Sequence, residues 1–164
     1  MLRMPAPYLM APLSESLADT LLIEARTPTL DEYRELCAAV GWEDTINFEA
    51  AQTSLARTLF SIVLLDRGRS ATHVVGMGRL VGDGALYFYV QDIIVRPEYQ
   101  GLGLGRRIVE RLMAWLHTHA PERAFVGLFA AEGKDSFYAH FGFMRHPALT
   151  GMFLVLPRLQ EEWE

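Results

Sequence analysis

A glycine-rich turn between an apolar strand and an amphipathic helix constrains the fold of this chain more than any other feature. The predicted strand ends at Val95, just before Pro97, and glycine occupies positions 101, 103 and 105. Glycine lets the backbone curl with its N–H groups pointing inward, and the start of the following helix adds N–H groups that have no acceptor in the helix. The segment therefore predicts a site for a phosphate or pyrophosphate group.

The spacing of these glycines excludes two common phosphate-binding motifs. A dinucleotide fingerprint requires glycine or alanine where this chain has Arg106. A P-loop counted from Gly101 requires Gly-Lys-Ser/Thr at positions 106 to 108, where the chain has Arg-Arg-Ile. The segment is therefore either a phosphate site of another kind or a glycine-rich turn that binds nothing.

Hydrophobic periodicity and turn residues predict a mixed α/β chain with a central strand–helix–strand unit. The predicted strands are residues 20–24, 59–65, 71–81, 86–95, 125–129, 143–145 and 152–156. The predicted helices are residues 30–40, residues 48–57, a segment that starts at 103 or 104, and residues 134–140. Residues 1–18 contain prolines at 5, 7 and 12 and predict an irregular arm.

Length, composition and charge narrow the class of protein. A length of 164 residues predicts a single domain over 1–164. A hydrophobic fraction of 51% and a charged fraction of 21% exclude an intrinsically disordered chain. The net charge of −5 argues against a nucleic-acid partner, because proteins that bind duplexes normally carry a basic stripe.

Cysteine and histidine usage indicates the compartment and argues against a metal. Cys37 is the only cysteine, which excludes an intramolecular disulfide and fits a reducing compartment. His117 and His119 have the wrong spacing to place two ligands on one helix face, so no metal site is predicted. The sequence has neither an 18-residue apolar run nor the pattern of a signal peptide, so we expect a cytoplasmic protein with no membrane partner.

Two motifs in order resemble one known family. Gln100-x-x-Gly103-x-Gly105 resembles Gln/Arg-x-x-Gly-x-Gly/Ala, the loop that holds the acetyl-CoA pyrophosphate in the GNAT superfamily of N-acetyltransferases. About 30 residues further on, Phe137-Tyr138-x-x-Phe141-Gly142-Phe143 is similar to the family segment Phe-Tyr-x-x-x-Gly-Phe. The resemblance is strong over about residues 60–143. It is weaker over residues 1–58, where members of the family vary their acceptor site.

The resemblance implies a fold and a co-substrate. The fold would be α/β and GNAT-like: a mixed, mostly antiparallel sheet of about seven strands, with a splayed central strand pair and about four helices. The acyl donor would be acetyl-CoA, whose pantetheine arm inserts beside the splayed strand like an extra strand. The residues implied to bind it are Ile93, Ile94, Val95, Gln100, Gly101, Leu102, Gly103, Leu104, Gly105, Arg106, Lys134 and Phe137. Arg107 either adds charge toward the phosphates or belongs to a solvated helix face, and Lys134 either contacts the co-substrate or lies on the solvent side of its helix.

Two residues are implied to act in catalysis. The N–H of Ile93 would polarise the acetyl carbonyl, as an oxyanion hole does. Tyr138 matches the family's general acid, since a phenol with a pKa near 10 can protonate a leaving thiolate. The alternative is that Tyr138 is an aromatic packing residue among Phe137, Phe141 and Phe143.

The general base and the acceptor are less defined. Tyr89 and Gln91 occupy alternating positions where family members often carry Glu or His, and Asp92 is expected on the opposite face of the strand. Neither Tyr89 nor Gln91 is a good base at neutral pH, so a relay through water or a less basic substrate is expected; His140 and His146 are alternatives. Trp42, beside Glu43, either lines the acceptor site or belongs to the core.

The predicted activity is direct transfer of acetyl from acetyl-CoA to a primary amine of a small molecule, of the arylalkylamine or polyamine type, with Trp42, Tyr89 and Gln91 binding that amine. A protein lysine or N-terminus is the alternative acceptor. A non-catalytic acyl-CoA sensor domain is a further alternative, and assembly as a homodimer is left open.

Overall fold

A computed structural model describes residues 15–68 and 72–156 of the chain. The α-helices are α1 (Glu15–Thr20), α2 (Leu30–Ala39), α3 (Phe48–Ala56), α4 (Leu104–His119) and α5 (Asp135–Ala139). The strands are β1 (Leu21–Glu24), β2 (Phe60–Asp66), β3 (His73–Gly82), β4 (Tyr87–Val95) and β5 (Phe125–Gly127), and a short 3-10 helix covers Pro97–Tyr99. The chain divides into two compact units, Met1–Leu128 and Phe129–Glu164, so the single domain expected over 1–164 stays a prediction.

The first unit is built on one sheet with the strands in the order β1-β2-β3-β4-β5. The pairings β1–β2, β2–β3 and β3–β4 are antiparallel, and β4–β5 is parallel. Only the parallel pair needs a long crossover, and α4 provides it. The mixed, mostly antiparallel α/β sheet expected from the sequence is therefore confirmed, with α4 following the glycine-rich turn.

The strand count is lower than expected. The described residues contain five strands instead of seven, because residues 143–145 and 152–156 form none. An apolar run becomes a strand only where a neighbouring edge supplies hydrogen bonds, and the side chains of this last segment are largely exposed, with Met152 at 87%. The strand predicted over 125–129 is also shorter and less buried than expected, since β5 stops at Gly127 and Phe125 is 53% exposed.

The helices also differ from expectation at one end of the chain. The described residues contain five α-helices rather than about four, because α1 begins at Glu15, inside the arm predicted for residues 1–18. The rest of that arm, residues 1–14, lies outside the described residues. The other four helices match the predicted segments to within two residues at each end.

The two faces of the sheet are covered by different helices. On one face, α2 and α3 enclose a core with β2, β3 and β4; its largest members include Leu36, Met77 and Ile94, all at most 1% exposed. On the other face α4 lies so close to β3 that a Cβ at Gly78 would collide with Ile108. This close approach explains why glycine interrupts the apolar run of β3.

The start of α2 is held by a complete capping box. The Thr29 hydroxyl accepts a hydrogen bond from the Glu32 N–H (3.1 Å), and the Glu32 carboxylate accepts one from the Thr29 N–H (2.8 Å). Arg26 also donates to both carboxylate oxygens of Glu32, and these bonds lower the pKa of that carboxyl. Local sequence alone therefore fixes where α2 begins.

We expect Thr29→Ala to lower the free energy of unfolding by about 1 kcal/mol, the usual cost of losing an N-cap side chain. The exposed neighbour Thr27 offers a matched control, because only its backbone carbonyl accepts a hydrogen bond from Arg26. Urea unfolding of the two variants measures the difference. Equal losses for Thr27→Ala and Thr29→Ala would contradict a capping role.

Candidate active site

The edge of β4 opens where β5 ends. The parallel pairing joins Tyr87 to Phe125 and stops at Tyr89 and Gly127, whereas β4 continues to Val95. Among the described residues no strand pairs with β4 beyond Tyr89 on this side. The opening leaves a main-chain edge from Val90 to Val95, which contains Ile93, and such an edge can accept an extended ligand as an added strand.

The glycine-rich turn continues directly from this edge. Gly101 has φ +78° and Gly103 has φ +75°, and both lie in the left-handed region that favours glycine. Gly103 is the N-cap of α4 and has no side chain to cap the first helical N–H groups. A Cβ at Gly101 would meet no atom within 4 Å, so the turn faces open space. This geometry fits an anionic phosphate group at the start of α4.

Three side chains tie the turn to the sheet. The Tyr99 hydroxyl is buried and donates to Asp66 Oδ2 (2.7 Å) on β2. Gln100 Nε2 donates to the carbonyl of Val95 (2.9 Å), and Arg96 Nε donates to the carbonyl of Val74 (2.6 Å). The structure thus gives the Gln100 amide a bracing contact inside the turn. The backbone that would face a phosphate is therefore tied to the sheet by hydrogen bonds that need no ligand.

The other residues predicted to bind the co-substrate in the first unit differ in exposure. The side chains of Ile94 and Leu104 are each 1% exposed, so these residues can reach a ligand only through their main chains. Leu102 is 38% exposed at the turn. Arg106 forms an ion pair with Glu110 across one helical turn (3.1 Å). Arg107 Nε is buried with no hydrogen-bond partner, unlike a solvated helix-face residue.

In the second unit, α5 carries the predicted acid within an aromatic cluster. The Tyr138 ring contacts Phe137 (centroids 4.9 Å apart) and Phe143 (6.1 Å), and Phe137 contacts Phe141 (5.5 Å). Burial raises the pKa of the Tyr138 phenol, so the hydroxyl keeps its proton at neutral pH. Lys134 precedes this helix, and its carbonyl accepts the Tyr138 N–H (3.2 Å).

A β-bulge in β4 corrects the expected orientation of Asp92. In the register of β3 and β4, Met77 lies opposite Ile94 and Arg79 lies opposite Gln91. Two residues of β4, Asp92 and Ile93, therefore lie opposite a single residue of β3, Gly78. Asp92 takes φ +53°, which interrupts the alternation of the strand. Asp92 therefore lies on the same face as Gln91, and not on the opposite face as the simple period-two pattern predicted.

An open groove of about 690 Å³ lies on this face, between α3 and the strands β3 and β4. Its lining residues are Ala50, Thr53, Ser54, Arg57, Arg79, Val81, Gly82 and Gln91. Gln91 thus lies in a concave site, and Tyr89 lies on the same strand opposite Val81; their binding of an amine stays a prediction. The described lining does not include Trp42, which is 37% exposed and so does not belong to the core.

A buried charged network beneath this groove was not predicted from the sequence. Arg79 Nε donates to Asp92 Oδ2 (2.7 Å), and the Tyr33 hydroxyl donates to the same oxygen (3.1 Å). The Arg79 and Asp92 side chains are 7% and 1% exposed. Arg79 also donates to the Ser54 and Thr58 hydroxyls on and after α3. The only sequence signal was a charged residue inside each of two apolar strands.

Cys37 lies beside this network and is a poor nucleophile. The thiol is buried, and burial raises its pKa to about 11, so little thiolate exists at neutral pH.

In the described part of the chain no three His, Cys, Asp or Glu side chains cluster in a way that could hold a metal ion, and none of its helices could span a membrane.

The family follows from comparison with known proteins. Residues 60–145, which contain the open β4 edge, the glycine-rich turn and α5, match the model of the acetyltransferase (GNAT) domain. The chain is 30% identical over 138 residues to the uncharacterized N-acetyltransferase ycf52 of Porphyra purpurea, covering 84% of this chain and 78% of that protein. The chain belongs to the GNAT family of acetyltransferases. It is an N-acetyltransferase, that is, an acyl-transferring enzyme.

Two further similarities support this assignment. A probable acetyltransferase of meticillin-resistant Staphylococcus aureus has a solved structure that aligns with a TM-score of 0.74 and 32% identity, over 83% of this chain and 99% of that one. The chloroplastic serotonin N-acetyltransferase 2 of Oryza sativa subsp. japonica is 38% identical over 92 residues, which cover 56% of this chain and 45% of that protein.

Proposed function

We propose that this enzyme transfers acetyl directly from acetyl-CoA to the primary amine of a small molecule. The observation that carries the proposal is the continuous path from the open edge of β4 to the glycine-rich turn at the start of α4. An extended arm fits the edge and a pyrophosphate fits the turn, so a thioester at the other end of the arm falls beside Ile93. The order of these two features along the chain suits CoA.

The main chain of this enzyme supplies the binding and the electrophilic activation. When bound, acetyl-CoA supplies an acetyl thioester whose carbonyl carbon accepts the amine. The Ile93 N–H, at the bulge in β4, donates to the carbonyl oxygen and stabilises the negative charge that develops there. The amides from Gly101 to Arg106 hold the pyrophosphate, and Arg107 adds positive charge nearby. The contact that polarises the carbonyl comes from the main chain, and the only charged side chain used here, Arg107, acts at the pyrophosphate.

The transfer proceeds without an acyl-enzyme intermediate. Cys37 is buried, with a pKa raised to about 11, and therefore does not take the acetyl group itself. The amine nitrogen forms the C–N bond as the C–S bond breaks, and the sulfur takes a proton from the Tyr138 hydroxyl. The ammonium form of the amine loses one proton to ordered water before it attacks, because Tyr89 and Gln91 are both poor bases. The nitrogen loses a second proton as the C–N bond forms, and this proton returns through water to the Tyr138 oxygen and restores the hydroxyl.

The groove disfavours an acceptor with several ammonium groups. Among the described residues that line it, the only ionisable side chains are Arg57 and Arg79. A polyamine would place its further ammonium groups near these guanidinium groups, and the like charges would repel each other. An arylalkylamine carries one ammonium group and no further ones. The name of the rice relative, a serotonin N-acetyltransferase, points to the same substrate class. We therefore favour the arylalkylamine type over the polyamine type.

A protein acceptor remains the second candidate, for one reason. The chain is 29% identical over 129 residues to the histone acetyltransferase TAP1 of Glycine max, covering 74% of this chain and 55% of that protein. A lysine side chain is a single alkylammonium group and would enter the same groove. Location in the cytoplasm and assembly as a homodimer stay predictions of the sequence.

Thiol release from acetyl-CoA tests the proposal. The assay compares phenethylamine, spermidine and a lysine-containing peptide as acceptors. We expect kcat/KM to be highest with phenethylamine. A peptide that reacts faster would identify the protein-directed alternative. Tight acetyl-CoA binding without thiol release for any acceptor would indicate a sensor.

The predicted contact of Trp42 with the amine is tested apart from the groove, whose described lining does not include Trp42. Such a contact predicts that Trp42→Ala raises the KM of the amine roughly 3- to 10-fold and leaves the KM of acetyl-CoA nearly unchanged, because an aromatic ring contributes about 0.5–1 kcal/mol or more to binding an ammonium group. Trp42→Phe keeps an aromatic ring at the exposed position and should lose less. Initial rates with each substrate varied in turn measure both constants. Equal rises in the two KM values would contradict a role for Trp42 in the acceptor site.

A further inference from the structure

The side chain of Gln91 is anchored by the buried network beneath the groove. Gln91 Nε2 donates to Asp92 Oδ1 (3.0 Å), while Arg79 Nε and the Tyr33 hydroxyl both donate to Asp92 Oδ2. Each oxygen of the Asp92 carboxylate therefore has a separate partner. Gln91 is partly exposed and lines the groove together with Arg79 and Ser54.

The chemistry of Asp92 fixes which end of the Gln91 amide faces it. Arg79 and Tyr33 both donate to the Asp92 carboxylate, and a carboxylate can only accept hydrogen bonds. Gln91 must therefore present its NH₂ group to Asp92 and direct its carbonyl oxygen, Oε1, away from it. The amide cannot flip without placing two acceptors face to face. This leaves Oε1 as an uncharged hydrogen-bond acceptor on a side chain that lines the groove.

We propose that the Arg79–Asp92 ion pair positions Gln91 so that its Oε1 accepts a hydrogen bond from the acceptor amine. This inference rests on the proposed function, since it assigns the groove to the acceptor. Gln91 contacts the substrate, whereas Arg79 and Asp92 act through it as positioning residues. The pair also explains why an amide can replace the more usual carboxylate at this position: it orients the amine without taking its proton.

Several charged or titratable groups surround Gln91 and bear on how the activity of variants at this position depends on pH. Asp92 is its neighbour on β4, Arg79 faces it from β3, and Arg57 faces it across the groove from the end of α3. Tyr33 and Cys37, from α2, border Asp92. Burial raises the pKa of both Tyr33 and Cys37, so both stay neutral at pH 6 to 9.

Gln91→Glu tests whether the side chain at this position orients the amine or takes its proton. The two roles predict opposite changes in relative kcat/KM as the pH rises. The introduced carboxyl group would lie against Asp92, and the like charge of Asp92 would raise the pKa of the introduced group. Its protonated form would donate to Asp92 and keep a carbonyl oxygen toward the groove, as Gln91 does, while its ionised form would be repelled. We expect kcat/KM of the variant, relative to wild type, to fall about tenfold between pH 6 and pH 9. A ratio that rises or stays constant would overturn the proposal.

Gln91→Met tests the same contact without adding a charge. It keeps the length of the side chain and removes the amide, so the KM of the phenethylamine substrate should rise about 3- to 10-fold, the usual worth of a neutral hydrogen bond. Asp92→Asn should raise that KM similarly, and the double variant should raise it no further. Additive effects in the double variant would overturn the positioning role. If Asp92→Asn does not fold, the Gln91 variants decide alone.

A measurement on the wild-type protein separates this inference from the proposed function. Hydrogen exchange of the Gln91 side-chain NH₂, assigned by its loss in Gln91→Met, should be about tenfold slower than that of Gln52, which is exposed. Equal exchange rates would overturn the anchoring, whatever the activity. An enzyme that shows slow exchange but releases no thiol with any amine would overturn the proposed function while leaving the anchored amide intact.

Discussion

Tyr138→Phe should lower kcat about tenfold or more while leaving the KM of acetyl-CoA almost unchanged. The substitution removes only the hydroxyl, so the ring contacts with Phe137 and Phe143 remain and the fold should keep its stability. General acid catalysis contributes roughly 10²- to 10⁴-fold, and water can replace part of it when the phenol is absent. Steady-state thiol release with saturating amine measures kcat, and a thermal melt checks the fold.

The pH dependence of the wild-type enzyme should report the same hydroxyl. Burial raises the pKa of Tyr138 above its ordinary value of 10.0, so the phenol stays protonated through neutral and mildly alkaline pH. Activity that depends on this proton is therefore present below that raised pKa and lost as the pH rises through it. Tyr138→Phe should lack this alkaline loss.

Tyr87→Phe is a matched control, because it removes a hydroxyl from a tyrosine that is 62% exposed and has no proposed role. It should leave kcat unchanged. An unchanged kcat in Tyr138→Phe, with chemistry shown to limit the rate, would mean that Tyr138 only packs and that the thiolate departs unaided or with a proton from water.

Gly103→Val should weaken acetyl-CoA binding by roughly 100-fold or more, to below detection. Gly103 has φ +75°, where an L-residue costs about 1–2 kcal/mol and a β-branched one more. A branched side chain at the N-cap of α4 would also fill the space that the pyrophosphate needs, next to the helix N–H groups that hold it. Isothermal titration with CoA measures the loss directly, without depending on the acceptor.

Gly41→Val separates backbone strain from loss of the phosphate site. Gly41 has nearly the same φ, +76°, and a Cβ there would meet no atom within 4 Å. Gly41→Val should therefore lower the free energy of unfolding about as much as Gly103→Val does, and it should leave the Kd of CoA unchanged. A similar loss of CoA affinity in both variants would contradict the assignment of the turn as the pyrophosphate site.

Most of the helix and strand assignments follow from local sequence. Thr29 and Glu32 define the start of α2 because both bonds of the capping box lie within four residues of chain. The three glycines predicted a turn with a curled backbone before α4, and in the structure Gly101 and Gly103 take left-handed conformations there. Interactions this short are determined before the chain meets any distant segment, so a pattern in the sequence is enough to predict them.

The strand assignments failed where pairing decided the outcome. Residues 152–156 form an apolar run that resembles a strand, yet the structure gives them no ladder partner. The run of β5 was expected to reach Phe129, but its pairing with β4 ends at Gly127. A strand exists only when a second segment supplies its hydrogen bonds, and composition does not specify that second segment.

In the candidate site, too, some features follow from local sequence and others depend on the tertiary structure. The sequence by itself determined the glycine-rich turn and its place between a strand and a helix, and from these it predicted the phosphate-binding end of the site. Only the tertiary structure decided that Asp92 shares a face with Gln91, because the bulge depends on the register between β3 and β4. Only it joined Arg79 to Asp92 and Tyr33 in a buried network, since those residues come from three different elements. Period-two alternation predicts the face of a side chain as long as a strand is regular, and one extra residue in the ladder reverses the prediction for every position beyond it.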